Sequence, residues 1–122
     1  MCRIAVIDSD PELLGFLREA LSIRGWEIET FTDAASALPL VRRGLPDVVI
    51  LDIWLETPTS GWELFCRLND DVTTRAIPVI ICSDQIRFLS ENKSRVEKQA
   101  HALLPKPFEL DDLYRSVEVA LA

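Results

Sequence analysis

Four polar residues stand just after apolar runs in this sequence: Asp8 after 3–7, Asp52 after 47–51, Ser83 after 77–82 and Lys106 just beyond 102–104. Two carboxylates, a hydroxyl and an ammonium gathered at one edge have a definite chemistry. Carboxylate oxygens hold a hard cation such as Mg²⁺, while an ammonium and a hydroxyl hydrogen-bond phosphoryl oxygens. An aspartate so placed can also act as a nucleophile and form an aspartyl phosphate. Taken singly, each has a plainer use: the acids as caps or loop solvators, Ser83 as a helix cap, Lys106 as a surface cation. It is their recurrence at the ends of successive runs that marks them as one constellation.

The elements that must carry them alternate from end to end. The run 3–7 reads as a strand buried on both faces. Asp10-Pro11 then starts a helix, with Asp10 as cap and Pro11 at the first helical position; Leu13, Leu14, Leu17, Ala20 and Leu21 form its apolar stripe, and Gly25 closes it. A second strand is expected over 26–31. A second helix, capped by Thr32 or Asp33, runs to Gly44, with Pro39 expected to kink or shorten it. The third strand is 47–51, a helix follows over 62–69, and the fourth strand is 77–82. The stretch 84–99 is polar and predicts one weakly packed, mobile helix. A short fifth strand at 102–104 and a last helix with Leu110, Leu113, Val117, Ala120 and Leu121 on one face complete the chain. Such alternation predicts an α/β domain, a parallel sheet covered on both sides. In doubly wound sheets, sites form beyond the carboxyl ends of the strands, where the four residues lie.

Composition narrows the function classes. With 122 residues, 48% of them apolar and 27% charged, one domain with a real core is expected, spanning 1–122. The formal charge of −7 disfavours nonspecific binding to nucleic acid or an anionic membrane. No apolar run approaches the ~20 residues that cross a bilayer, and the amino terminus lacks a signal-peptide core, so a soluble cytoplasmic protein is expected. Cys2, Cys66 and Cys82 are too scattered for a disulfide framework or a zinc site, and reduced thiols, two of them interior, are expected. Nothing argues for a Cys66–Cys82 contact, though it is possible in space. His101, the only histidine, opens a short strand with no helical histidine-box context and reads as a core or surface residue.

The stretches Ile-Ala-Val-Ile-Asp-Ser-Asp-Pro (4–11), Asp-Val-Val-Ile-Leu-Asp (47–52), Gly-Trp-Glu-Leu (61–64), Ile-Pro-Val-Ile-Ile-Cys-Ser (77–83) and Pro-Lys-Pro-Phe (105–108) together resemble, in order and spacing, the receiver domain of bacterial two-component response regulators. The resemblance covers essentially the whole chain. It implies a flavodoxin-like, five-stranded parallel sheet in the order 2-1-3-4-5 with five helices. It implies that Asp52 accepts a phosphoryl group from a phosphohistidine of a sensor histidine kinase or phosphotransfer protein, with Mg²⁺ required. By position, Asp8 matches the first acid of the family's acidic pair, Ser83 the switch hydroxyl and Lys106 the family's lysine. The metal ligands implied are Asp8, Asp52 and the backbone carbonyl of Trp54, with Ser9 or Asp10 as further candidates. Movement of Ser83 would repack the fourth helix and fifth strand, the output face, and a homodimer through the fourth helix, fifth strand and last helix is also possible.

Four positions depart from that pattern. Ser9 stands where the second acid belongs, and a hydroxyl brings no charge to Mg²⁺, so weakened affinity is expected; Asp10 is expected to cap a helix instead. Leu103 occupies the aromatic switch position and cannot report by ring rotation. Asp84 follows Ser83 where relatives carry a small residue, and it would repel phosphate, pair with Lys106 or help hold the metal. The loop from Asp52 to Gly61 is one residue longer than usual, its proline is displaced to Pro58, and it carries the bulky Trp54, which either excludes water from the site or merely packs on the loop.

The leading expectation is therefore a phosphoacceptor receiver that assists its own modification and turns over no external substrate. The rival is a pseudo-receiver, unphosphorylated and serving as a protein-interaction module. A flavin- or nucleotide-binding enzyme of the same fold is disfavoured, because Asp8-Ser9-Asp10-Pro11 sets two negative charges and a proline where a phosphate cradle wants glycines and free amides. No basic recognition helix is present, so direct contact with nucleic acid is not expected.

Overall fold

A computed structural model of the chain describes residues 2–122. In chain order the elements are β1 (Arg3–Ile7), α1 (Pro11–Ile23), β2 (Glu27–Phe31), α2 (Ala34–Gly44), β3 (Val48–Leu51), α3 (Ser60–Asp70), β4 (Val79–Ser83), α4 (Ile86–Glu91), α5 (Lys93–Gln99), β5 (Ala102–Pro105) and α6 (Leu110–Leu121). The strands form one parallel sheet in the order β2-β1-β3-β4-β5.

The period-2 geometry of a strand sends alternate residues to opposite faces, and here both faces are apolar. Ala5, Ile7, Val49, Leu51, Val79 and Ile81 pack with Ala37 and Val41 of α2, Leu64, Phe65 and Leu68 of α3, Leu89 of α4 and Val96 of α5. Ile4, Val6, Val48, Ile50, Ile80 and Cys82 pack with Leu14, Leu17 and Leu21 of α1 and Leu113 and Val117 of α6. The central strands are thus clamped between two cores, a rigid base for whatever sits at their ends.

Several local expectations are corrected. The polar stretch 84–99 forms two short helices, giving six helices in place of five. The break is at Asn92, whose backbone leaves helical geometry (φ −113°, ψ 23°) and whose side-chain amide donates to the Phe88 carbonyl at 2.9 Å. Pro39 does not end α2, which continues through it to Gly44 as one helix. Asp33, not Thr32, caps that helix, accepting from the Ser36 amide at 2.7 Å. Trp26 precedes β2; its ring meets Tyr114 edge-on at 6.3 Å, with the Arg24 guanidinium over both rings. β4 begins at Val79, not residue 77, and includes Ser83. Only Cys82 is fully buried, while Cys2 and Cys66 are half-buried and all three are free. Cys66 and Cys82 belong to the cores on opposite faces of the sheet, which excludes contact between them.

α2 ends on Leu45, which adopts the left-handed conformation (φ 45°, ψ 65°) while donating its amide to the Val41 carbonyl at 2.9 Å. A left-handed L-residue costs roughly 1–2 kcal/mol, and Asn tolerates the region better. Leu45 is 47% exposed, so little burial is lost on replacing it. Leu45→Asn is expected to stabilise the fold by about 0.5–1 kcal/mol, measured as a higher urea midpoint at unchanged slope.

Candidate functional site at the carboxyl ends of the strands

Register brings the site together. Ile7 pairs with Leu51, so Asp8 and Asp52 leave neighbouring strands side by side. Ser83 pairs with Pro105, so Lys106 leaves β5 beside Ser83, its amide donating to the Ser83 carbonyl at 3.0 Å. The backbone ladder continues past the strand ends: the Asp8 amide donates to Phe31 and the Asp52 amide to Ile7, each at 3.0 Å. Both aspartates are therefore held by the sheet itself, and both are buried, at 3% and 7% exposure. The Lys106–Pro107 peptide bond is cis.

The Lys106 ammonium bridges the two acids, 2.7 Å from Asp8 Oδ2 and 3.0 Å from Asp52 Oδ2. The remaining oxygens accept backbone amides, Asp8 Oδ1 from Asp10 at 2.9 Å and Asp52 Oδ1 from Ile53 at 2.7 Å. Burial pushes the Asp8 carboxyl above its ordinary range, against hydrogen bonds from Lys106 and the Asp10 amide that pull it down. Burial alone would lower Lys106, but its bonds to Asp8 and Asp52 and their charge outweigh it and hold the ammonium above its ordinary value. One cation thus faces two carboxylates, and the centre carries a net negative charge that favours a further cation.

Ser83, completely buried, accepts the Gln85 amide on Oγ at 3.1 Å, the helix-entry use of serine, which leaves its own proton to donate. Asp10 caps α1, accepting from Glu12 at 3.0 Å and Leu13 at 3.4 Å; Ser9 is exposed. Asp84 is exposed and accepts from the Gln85 side chain at 2.9 Å, not from Lys106. Trp54 is 47% exposed and Leu103 42%. His101 lies on the surface. Burial pushes the Cys82 thiol up to about 12, consistent with an inert packed residue.

Among the described residues no group of three or more acidic, cysteine or histidine side chains is gathered as a metal site. The donor set is the carboxylate pair Asp8 and Asp52. That set fits Mg²⁺, an ion that takes one or two carboxylates and keeps several of its waters.

Two features of the site escaped the sequence. Gly61 stands where a Cβ would lie 1.8 Å from the Asp52 carbonyl oxygen, so the glycine lets α3 start against the strand end. Glu56 reaches out of the loop after Asp52 to the amides of Ala34 and Ala35 at 2.9 and 3.4 Å. An acid in a polar loop carries no sequence signal of a partner more than twenty residues away.

The model of the response regulator receiver domain matches residues 4–118, and the chain belongs to that family, the receiver domains of two-component systems. It is 31% identical over 119 residues to the response regulator MprA of Mycobacterium sp. strain KMS, covering 98% of this chain and 50% of the relative. The chain thus spans about half the length of the curated relatives it matches. It is similar to the crystal structure of the receiver domain of NtrX from Brucella abortus, with a TM-score of 0.83, 29% identity and 97% of each chain covered. A CheY-like receiver domain protein from Methanospirillum hungatei shares the fold, with a TM-score of 0.88 at 21% identity, covering 99% of this chain and 94% of that one. Receiver domains generally bind Mg²⁺ for phosphorylation, and among the described residues no helix is long and apolar enough to cross a membrane.

Proposed function

We propose that Asp52 accepts a phosphoryl group from a phosphohistidine of a sensor kinase or phosphotransfer protein in the cytoplasm. A carboxylate oxygen of Asp52 attacks phosphorus, the bond from phosphorus to the histidine nitrogen breaks, and the electron pair leaves on the imidazole. The observation that carries this reading is the Lys106 ammonium held 3.0 Å from Asp52 and 2.7 Å from Asp8 at the sheet's carboxyl edge. From there it can follow the growing charge on the phosphoryl oxygens, while Ser83 offers its free hydroxyl proton. Asp8, Asp52 and the Trp54 carbonyl would hold Mg²⁺, which supplies positive charge against the phosphoryl oxygens. Ser9 in place of an acid keeps its affinity low, and the use of Asp10 as a cap disfavours it as a ligand. The chain aids its own modification and turns over no external substrate. Repacking of Ser83 would then be felt by α4, α5 and β5, which together with α6 form the face that meets a downstream target or a second copy.

The rival reading, a pseudo-receiver serving as an interaction module, draws on the fact that all four oxygens of Asp8 and Asp52 already have partners. Intact-protein mass after incubation with Mg²⁺ and acetyl phosphate separates the two. One added phosphoryl group, absent in Asp52→Ala, is the expected result. No addition at high Mg²⁺, repeated with a phosphorylated kinase domain as donor, would establish the pseudo-receiver instead.

A further inference from the structure

The loop between Asp52 and α3 is anchored at more points than its polar sequence suggests. Ile53 and Leu55 are buried in the core, and the Ile53 carbonyl accepts the Gly61 amide at 2.7 Å. Ser60 Oγ both accepts the Thr57 amide at 3.0 Å and donates to the Thr57 carbonyl at 3.1 Å. Trp54 lies between the two buried anchors with its side chain 47% exposed. On the far side of Trp54, Glu56 spends both carboxylate oxygens on the first two amides of α2. Those amides have no partner within the helix, and a carboxylate there also meets the positive end of the helix dipole. α2 already has its own cap in Asp33, which serves Ser36. The helix amino terminus is thus shared between a local cap and one lent by the loop that follows Asp52.

We infer that Glu56 is a positioning residue: it latches the loop that carries Trp54 to α2 and so fixes the wall of the Asp52 site. The effect on the phosphorylated protein rests on the phosphoacceptor reading above; the effect on loop order does not. With the latch closed, the wall is held while water would otherwise reach the aspartyl phosphate. In that loss a water oxygen attacks phosphorus, the bond from phosphorus to the Asp52 oxygen breaks, and inorganic phosphate and the free carboxylate result. A latched loop makes this slower by restricting the approach of water.

The test compares Glu56→Ala and Glu56→Gln with Asp33→Ala, which frays the same helix end but leaves the loop carboxylate in place. Amide hydrogen exchange is followed for 53–60 and 34–36, and loss of the phosphoryl group by intact mass after removal of the donor. Glu56→Ala is expected to speed exchange in both segments about five- to tenfold, the scale of a lost cap. It should also speed phosphoryl loss by about threefold or more, with Glu56→Gln intermediate and Asp33→Ala changing exchange at 34–36 alone. Loop exchange within about twofold of the parent in Glu56→Ala, or the same pattern in Asp33→Ala, would overturn the latch. Faster loop exchange with unchanged phosphoryl loss would overturn its role at the site. If no variant or parent is phosphorylated, the phosphoacceptor reading has failed, and loop exchange alone decides the latch.

Discussion

Gly61→Ala is expected to destabilise the domain by about 3 kcal/mol or more, at the upper end of overpacking costs. The added methyl would sit 1.8 Å from the Asp52 carbonyl oxygen and 2.5 Å from that of Ile53, and both obstacles are backbone atoms. No rotamer change relieves such a clash. The Asp52 backbone cannot retreat, because its amide is tied to Ile7 at 3.0 Å. Relief must come from α3 sliding away, which breaks the Gly61–Ile53 hydrogen bond and lifts Leu64, Phe65 and Leu68 out of the core. Gly15→Ala is the matched control: no atom lies within 4 Å of its added Cβ, and it stands exposed inside α1. There the loss of backbone freedom in the unfolded chain should stabilise by about 0.5–1 kcal/mol. Urea unfolding of both variants checks the pair. An alanine tolerated at 61 with a loss below about 1 kcal/mol would mean that α3 starts farther from β3 than described.

The difference between these two glycines shows what the sequence can and cannot convey. The sheet was legible because its signal is a summed one: four apolar runs and one alternating stretch, separated by helical patterns, leave few topologies open. The cap at Asp10 and the placement of Asp8, Asp52, Ser83 and Lys106 were legible for the same reason, each being local to a strand or helix end. The break at Asn92 was not. There the Phe88 carbonyl accepts both the backbone and the side-chain amide of Asn92, a local arrangement at one residue within a polar stretch that is helical on both sides. Pro39 does not shorten α2: its missing amide costs the helix one bond, yet Ala37 and Val41 packed on the sheet carry it through to Gly44. Long-range ties such as Glu56 to α2 leave no periodic trace, because nothing about an exposed acid in a loop specifies which amides it will meet.

Lys106→Ala should unbalance the site more than any other side-chain truncation there, at a cost of about 2–3 kcal/mol near neutral pH. That sits at or below the lower end of the 3–5 kcal/mol seen for breaking a fully buried pair, since the Lys106 side chain keeps 20% of its exposure. The lost cation leaves Asp8 and Asp52 facing one another with only backbone amides to answer their charge. Asp8, already raised by burial, should then rise further, because the hydrogen bond and charge that opposed the rise are gone. A carboxyl whose folded value exceeds its unfolded one favours the fold most when protonated, and that stability is lost as pH rises through the folded value. The variant should therefore regain stability on acidification from neutral pH towards the raised Asp8 value. In the parent, the raised Lys106 contributes its full stability below the ordinary lysine value and loses it as pH climbs through the higher folded one. The parent should thus weaken in alkali where Lys106→Ala does not. Adding Asp8→Asn to Lys106→Ala should restore most of the neutral-pH loss, because the amide keeps an acceptor for Asp10 without the charge. Urea midpoints across pH for the three proteins check this. A Lys106→Ala loss that is independent of pH and unrelieved by Asp8→Asn would mean that Lys106 acts through the packing of its stem and not as the counter-charge on which the site is built.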